Sequence, residues 1–123
     1  MKKRGNSMKS KFTALENNFL NTFFSGLYIS ANEFITIGKK VGLAMGMNSR
    51  ELLIKELLNK ADEAGKLEEV VTLLNTLISE RVNQYHSLSM DYPSCAGMLS
   101  VLAQKANATK SLLASQTQRN PYE

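Results

Sequence analysis

The sequence predicts an all-α protein, a compact bundle of about four helices joined by short turns. Apolar residues recur at gaps of three or four along almost the whole chain, a spacing that gathers them on one face of a helix. No stretch keeps the two-residue alternation of a strand. Proline, which breaks helices, occurs only twice in the 123 residues, at Pro93 and Pro121. Amphipathic helices of this kind bury their apolar faces by packing together, which favours a bundle.

The chain is expected to form one domain with flexible ends. A length of 123 residues is typical of a single domain. Five positive charges and no acid fall within residues 1–11, whereas the rest of the chain holds ten positive charges and eleven acids. The net charge of +4 therefore belongs to the beginning of the chain. We predict a basic flexible tail over residues 1–10, a helical bundle over 11–116 and a flexible C-terminus over 117–123.

The first helix is predicted from about Ser10 to about Gly46, with a weak point near Gly38, where β-branched residues lower helix propensity. Its apolar stripe is unusually aromatic. Part of this stripe is expected to contact a partner helix or a second copy of the chain. The predicted partner-binding aromatic residues are Phe19, Phe23, Phe24 and Tyr28.

Three further helices have clearer boundaries. The second begins at Asn48-Ser49-Arg50-Glu51, a capping-box pattern, and ends at Gly65, which suits a left-handed cap. The third spans about residues 66–88, with an apolar stripe that reaches Leu88. The fourth runs from Pro93, which suits a first helical turn, to about residue 115. The apolar side of this last helix includes Cys95 and Met98.

Three glycines recur every four residues, at Gly38, Gly42 and Gly46. In a continuous helix they would form a ridge of nearly bare backbone, which another helix can approach closely. They are therefore predicted as further partner-binding residues. In a loop, the same glycines would serve turns. The sequence leaves both interpretations open.

Residues 41–60 loosely resemble a DNA-binding helix-turn-helix. In that pattern Gly42 packs between two helices, Gly46 makes the turn and a capped second helix follows. The resemblance implies a small internal core of Val41, Met45, Met47 and Leu52. Lys55 departs from the pattern at a position where an apolar residue is expected. Glu51 and Glu56 would also repel phosphates.

The resemblance supplies an alternative function, a DNA-binding regulator that uses residues 41–60 together with the basic tail. A basic arm can follow the phosphates of nucleic acid. The residues predicted to contact nucleic acid in this alternative are Lys2, Lys3, Arg4, Arg50 and Lys55.

No pattern indicates an enzyme, a metal site or a cofactor. The chain has a single cysteine, Cys95, and a single histidine, His86, with no CxxC or HExxH spacing. Because Cys95 lies on the apolar side of a predicted helix, it is expected to be buried. A catalytic pair of Cys95 and His86 across the turn is a third hypothesis.

The leading prediction is a small helical protein-interaction module, such as an adaptor, an assembly chaperone or a regulatory subunit. It would bind a protein partner, or form a homodimer, through the aromatic first helix. The sequence has no run of about 18 apolar residues, so no membrane partner is expected. A single cysteine allows no intramolecular disulfide, and a cytoplasmic location is expected.

Overall fold

The computed structural model describes residues 11–117, and this part of the chain folds into helices without a strand. The six helices are α1 (Thr13–Leu20), α2 (Thr22–Ser25), α3 (Ala31–Lys40), α4 (Arg50–Glu63), α5 (Leu67–Asp91) and α6 (Ala96–Thr117). A single 3₁₀ turn, Pro93–Cys95, joins α5 to α6. The predicted all-α class is confirmed.

The stretch predicted as the first helix, Ser10 to Gly46, contains three helices, so its expected continuity through residues 21–30 is wrong. Of the two interpretations left open for the glycine segment, the structure has the break, because α3 ends at Lys40. Asn21 adopts extended backbone and caps α2 with its side chain. Gly26, at φ +80°, ends α2 in the left-handed conformation. Ser30 then starts α3 with a complete capping box, in which Glu33 is the reciprocal partner. These polar caps interrupt a helical spacing of apolar residues that continues across them.

The other three helices match their predicted bounds to within about three residues. The N-cap of α4 is Ser49, one residue after the predicted Asn48, and its hydroxyl accepts a hydrogen bond from the Leu52 N–H at 3.3 Å. Gly65 lies just after α4 with φ +72°, in the left-handed conformation that the sequence predicts.

The α5–α6 hairpin is the longest feature of the fold. On one side α1 and α2 pack against α6, while α3 and α4 pack against α5; α4 also contacts α1 and α3. The largest fully buried side chains of the shared core include Phe12, Phe19, Phe34, Leu53, Leu57, Leu74 and Ile78. The fully packed core extends along α5 only to Val82 and along α6 only from Ala103 onward. The four shorter helices therefore cover only part of the hairpin.

The predicted tails lie largely outside the described residues. This applies to the basic tail, with Lys2, Lys3 and Arg4, and to residues 118–123 of the predicted C-terminal tail. Thr117, placed in that tail by the sequence, is the last residue of α6. Lys11 pairs with Asp62 of α4 at 2.7 Å, which ties the first described residue to the bundle.

Candidate interaction surface

Three of the predicted partner-binding aromatic residues are exposed at the surface, and two of them are in ring contact. Phe23 and Phe24 in α2 are 72% and 59% exposed, and Tyr28, which follows α2, is 54% exposed. The Phe23 and Phe24 ring centroids lie 6.0 Å apart. We call these three side chains the aromatic surface.

Phe19, predicted together with them, belongs to the core instead. Its side chain is fully buried in α1, and α1 packs between α4 and α6. The break at Asn21 changes the direction of the chain, so residues four positions apart on either side of it no longer share a face. Phe19 is therefore removed from the aromatic surface by the same cap that starts α2.

Side chains of α6 hold the backbone beneath the aromatic surface. The Lys105 ammonium donates to the carbonyl oxygen of Phe23 at 2.6 Å. The buried Thr109 hydroxyl lies 3.0 Å from the carbonyl oxygens of both Ser25 and Lys105, which share its one proton, and it accepts from the Asn18 side-chain amide at 2.9 Å. Hydrogen bonds to α6 therefore fix both α2 and the end of α1.

Gly26 provides the closest approach between this segment and the hairpin. A Cβ atom at Gly26 would lie 2.4 Å from the carbonyl oxygen of Leu102, so only glycine fits against α6 here. The Tyr85 hydroxyl of α5 donates to the Gly26 carbonyl. Burial raises the pKa of Tyr85, although nearby Arg81 partly opposes that rise, so the phenol keeps the proton that it donates.

The aromatic surface has a positive rim. The Arg50 guanidinium lies 4.2 Å from the Tyr28 ring centroid, and the Lys105 ammonium lies 3.9 Å from the Phe23 ring centroid. Residues 17–32 contain no Asp, Glu, Lys or Arg. The surface is therefore uncharged at its centre and bordered by two cations in cation–π geometry.

The three predicted glycines do not form a helical ridge, so that interpretation is wrong. Gly38 is buried in α3, where the Met45 side chain packs against it. Gly42 takes φ +81° after the end of α3, and Gly46 is exposed in the following loop. Gly42 therefore ends a helix, as the loop interpretation predicts. Gly38 serves packing within the chain.

The segment that resembles a helix-turn-helix departs from that motif in geometry. Nine residues, 41–49, connect α3 to α4, whereas the motif uses a turn of about three or four. Val41 is buried, but Met47, assigned to the small internal core, is 85% exposed and Leu52 is exposed as well. Only part of the predicted internal core therefore forms.

The two cations predicted to contact nucleic acid from α4 are engaged within the chain. The Arg50 side chain donates from Nε to the carbonyl oxygen of Ile29 at 2.8 Å, in addition to its contact with Tyr28. Lys55 is half-buried and makes an interaction of its own. Arg50 therefore supports the aromatic surface in the described structure.

Cys95 is exposed, so the prediction that it is buried is wrong. His86 is exposed as well, near the end of α5. Within residues 11–117, no group of three or more His, Cys, Asp or Glu side chains is arranged to hold a metal ion. Cys95 precedes Ala103, the first residue of α6 that joins the core, so its apolar spacing begins in a part of the hairpin that the core does not reach.

A second exposed surface, which the sequence analysis missed, lies at the end of the α5–α6 hairpin. We call residues 86–101 the distal hairpin. Leu99 is its only buried residue, and Asp91 is its only Asp, Glu, Lys or Arg. Its exposed large apolar side chains are Leu88, Met90, Tyr92, Met98 and Val101. Residues 86–101 are nearly free of charged side chains, and this feature of the sequence could have predicted the surface, because charged residues are depleted at the centre of interfaces.

Comparison of the chain with protein-family models, curated proteins and solved structures finds no match. None of the helices described for residues 11–117 is long and apolar enough to cross a membrane.

Proposed function

We propose that this protein is a small helical interaction module that binds a segment of a partner protein on the aromatic surface. The observation that carries the proposal is three largely exposed aromatic rings on a backbone held by α6 through Lys105, Thr109 and the close contact at Gly26. Aromatic side chains and arginine supply much of the binding energy at protein interfaces. A backbone that is already fixed loses little conformational entropy on binding.

The charges around the rings define the partner's chemistry. The two cations at the rim are Arg50, which lies over the Tyr28 ring, and Lys105, which lies over the Phe23 ring. An apolar partner segment that also carries Asp or Glu would complement this arrangement, whereas a basic segment would be repelled. An adaptor, an assembly chaperone or a regulatory subunit would use such a surface.

A displayed library of random peptides tests the proposal, with the full chain as bait. We expect enriched peptides to combine large apolar residues with Asp or Glu. Their affinity should fall at least about tenfold in the double variant Phe23→Ser/Phe24→Ser, which removes about 1.4 kcal/mol or more of binding free energy. The Met47→Ser variant is the matched control, because Met47 is a large apolar side chain that is even more exposed, at 85%, but lies in the α3–α4 loop.

Two results would contradict the proposal. One is the enrichment of basic peptides. The other is binding that the double variant and the Met47→Ser control affect equally. The DNA-binding alternative has a different signature, namely binding to duplex DNA that weakens steeply as salt is added.

A further inference from the structure

The distal hairpin is a two-helix surface that no other described helix covers. In the rest of the hairpin, α1 and α2 pack on α6, and α3 and α4 pack on α5. Beyond Tyr85, the last residue of α5 that packs against the core, that cover is missing. Two amphipathic helices bury their apolar residues fully only when further helices pack on them. The distal hairpin therefore has the apolar composition of a buried segment, but no described helix packs on it.

The charge of the distal hairpin argues for a copy of itself as the cover. Asp91 is its only Asp, Glu, Lys or Arg, so it offers little with which to select a partner of opposite charge. Two-fold contacts place the same patch on both sides of an interface, which is costly where that patch carries many like charges. A nearly uncharged apolar surface meets its own copy without that cost.

The exposed apolar area sets the largest interface that the distal hairpin can form with a second copy. The five large apolar side chains are 41–82% exposed, which leaves about 600 Å² of exposed surface in total at roughly 200 Å² for each large side chain. Counted on both copies, this surface gives at most about 1,200 Å², slightly more than the roughly 1,000 Å² that a specific interface requires. Leu88 and Met90, two residues apart on α5, point to different sides of the helix, so one interface covers only part of this total. One copy alone would leave an apolar patch near the upper limit for a monomer.

We propose that the distal hairpin is a self-association surface, on which the distal hairpin of a second copy packs about a two-fold axis to form a small four-helix bundle. This dimer differs from one formed through the first helix. It does not rest on the function proposed for the aromatic surface, because the two surfaces share no residue.

Sedimentation velocity of the full chain from about 1 µM to about 1 mM tests the proposal. We expect a dimer whose dissociation constant rises at least tenfold in the double variant Met90→Glu/Met98→Glu, since two new carboxylates per copy would face their counterparts. Both positions are largely exposed, so the helical circular dichroism of the monomer should be unchanged. The milder variant Met90→Gln/Met98→Gln should weaken the dimer in the same direction.

The Met47→Glu variant is the control, because it adds a carboxylate at an 85% exposed methionine in the α3–α4 loop. Its dimer should match that of the wild-type chain. A chain that stays monomeric up to about 1 mM overturns the proposal. A dimer that resists both methionine double variants also overturns it. If that dimer is instead lost in Phe23→Ser/Phe24→Ser, the second copy occupies the aromatic surface.

Discussion

Gly26 is the residue on which the position of the aromatic surface depends. It combines φ +80° with a distance of 2.4 Å between its would-be Cβ and the Leu102 carbonyl oxygen. We predict that Gly26→Ala lowers the free energy of unfolding by at least about 3 kcal/mol, because left-handed strain of about 1–2 kcal/mol adds to a clash with the α6 backbone. Urea denaturation measures this loss.

Gly65→Ala is the matched control for that change. Gly65 has a similar φ of +72°, but a Cβ there would meet no atom within 4 Å. In the control, the free energy of unfolding should therefore fall only by the cost of left-handed strain, about 1–2 kcal/mol. Equal losses in the two variants would mean that the close contact between Gly26 and α6 does not contribute to stability.

At the scale of elements, Glu33 connects the beginning of α3 to the middle of α5. Its carboxylate accepts the Ser30 backbone N–H in the capping box at 2.9 Å and pairs with Arg81 of α5. Burial raises the pKa of Glu33, but the hydrogen bonds from Ser30 and the charge of Arg81 outweigh it, so the net pKa lies below its usual value. The ionised form is therefore favoured in the folded state.

A pH series on Glu33→Gln tests this connection. A carboxylate whose pKa is lowered by folding stabilises the fold above its unfolded pKa, and the contribution is lost as pH falls through the lower, folded pKa. Because glutamine can still cap α3, the variant should lose about 0.5–1 kcal/mol at pH 7. The difference in melting temperature between the two proteins should begin to shrink as pH falls below the unfolded pKa of about 4.3, and should vanish only below the lower pKa of the folded state. A constant difference at every pH would contradict the ionic contribution.

The bounds of α4, α5 and α6 could be predicted because each apolar stripe ends at a polar cap, a glycine or a proline. The breaks in the first predicted helix could not be obtained from apolar spacing, which continues across them. Ser30 and Glu33 do carry a capping-box signature in the sequence, and Gly26 is the other local signal. Whether such signals interrupt a helix depends on contacts with distant residues, as the fit of Gly26 against α6 shows.

At the scale of the whole molecule, three of the four aromatic residues predicted to bind a partner are exposed. It could not separate Phe19 from Phe23, because both lie on the same apolar spacing and only the packing of α1 distinguishes them. The exposure of Leu88 and Met98 could not be predicted from apolar spacing either. Their helical stripes continue regularly past the point where the covering helices stop, so the sequence assigned them to the core and the structure exposes them.

The core ends at Val82 of α5 and begins at Ala103 of α6, so we expect each hairpin helix to have two parts of different local stability. Backbone amides of α5 before Val82 exchange with solvent deuterium only when the bundle opens, whereas those after Tyr85 exchange through local fraying of the distal hairpin. In dilute protein, we expect protection to fall at least tenfold between these stretches of one continuous helix. Hydrogen exchange followed by mass spectrometry measures this difference in protection, and uniform protection along α5 would contradict it.

Raising the protein concentration should restore protection at the distal end of α5, because self-association would couple the opening of the distal hairpin to dissociation of the dimer.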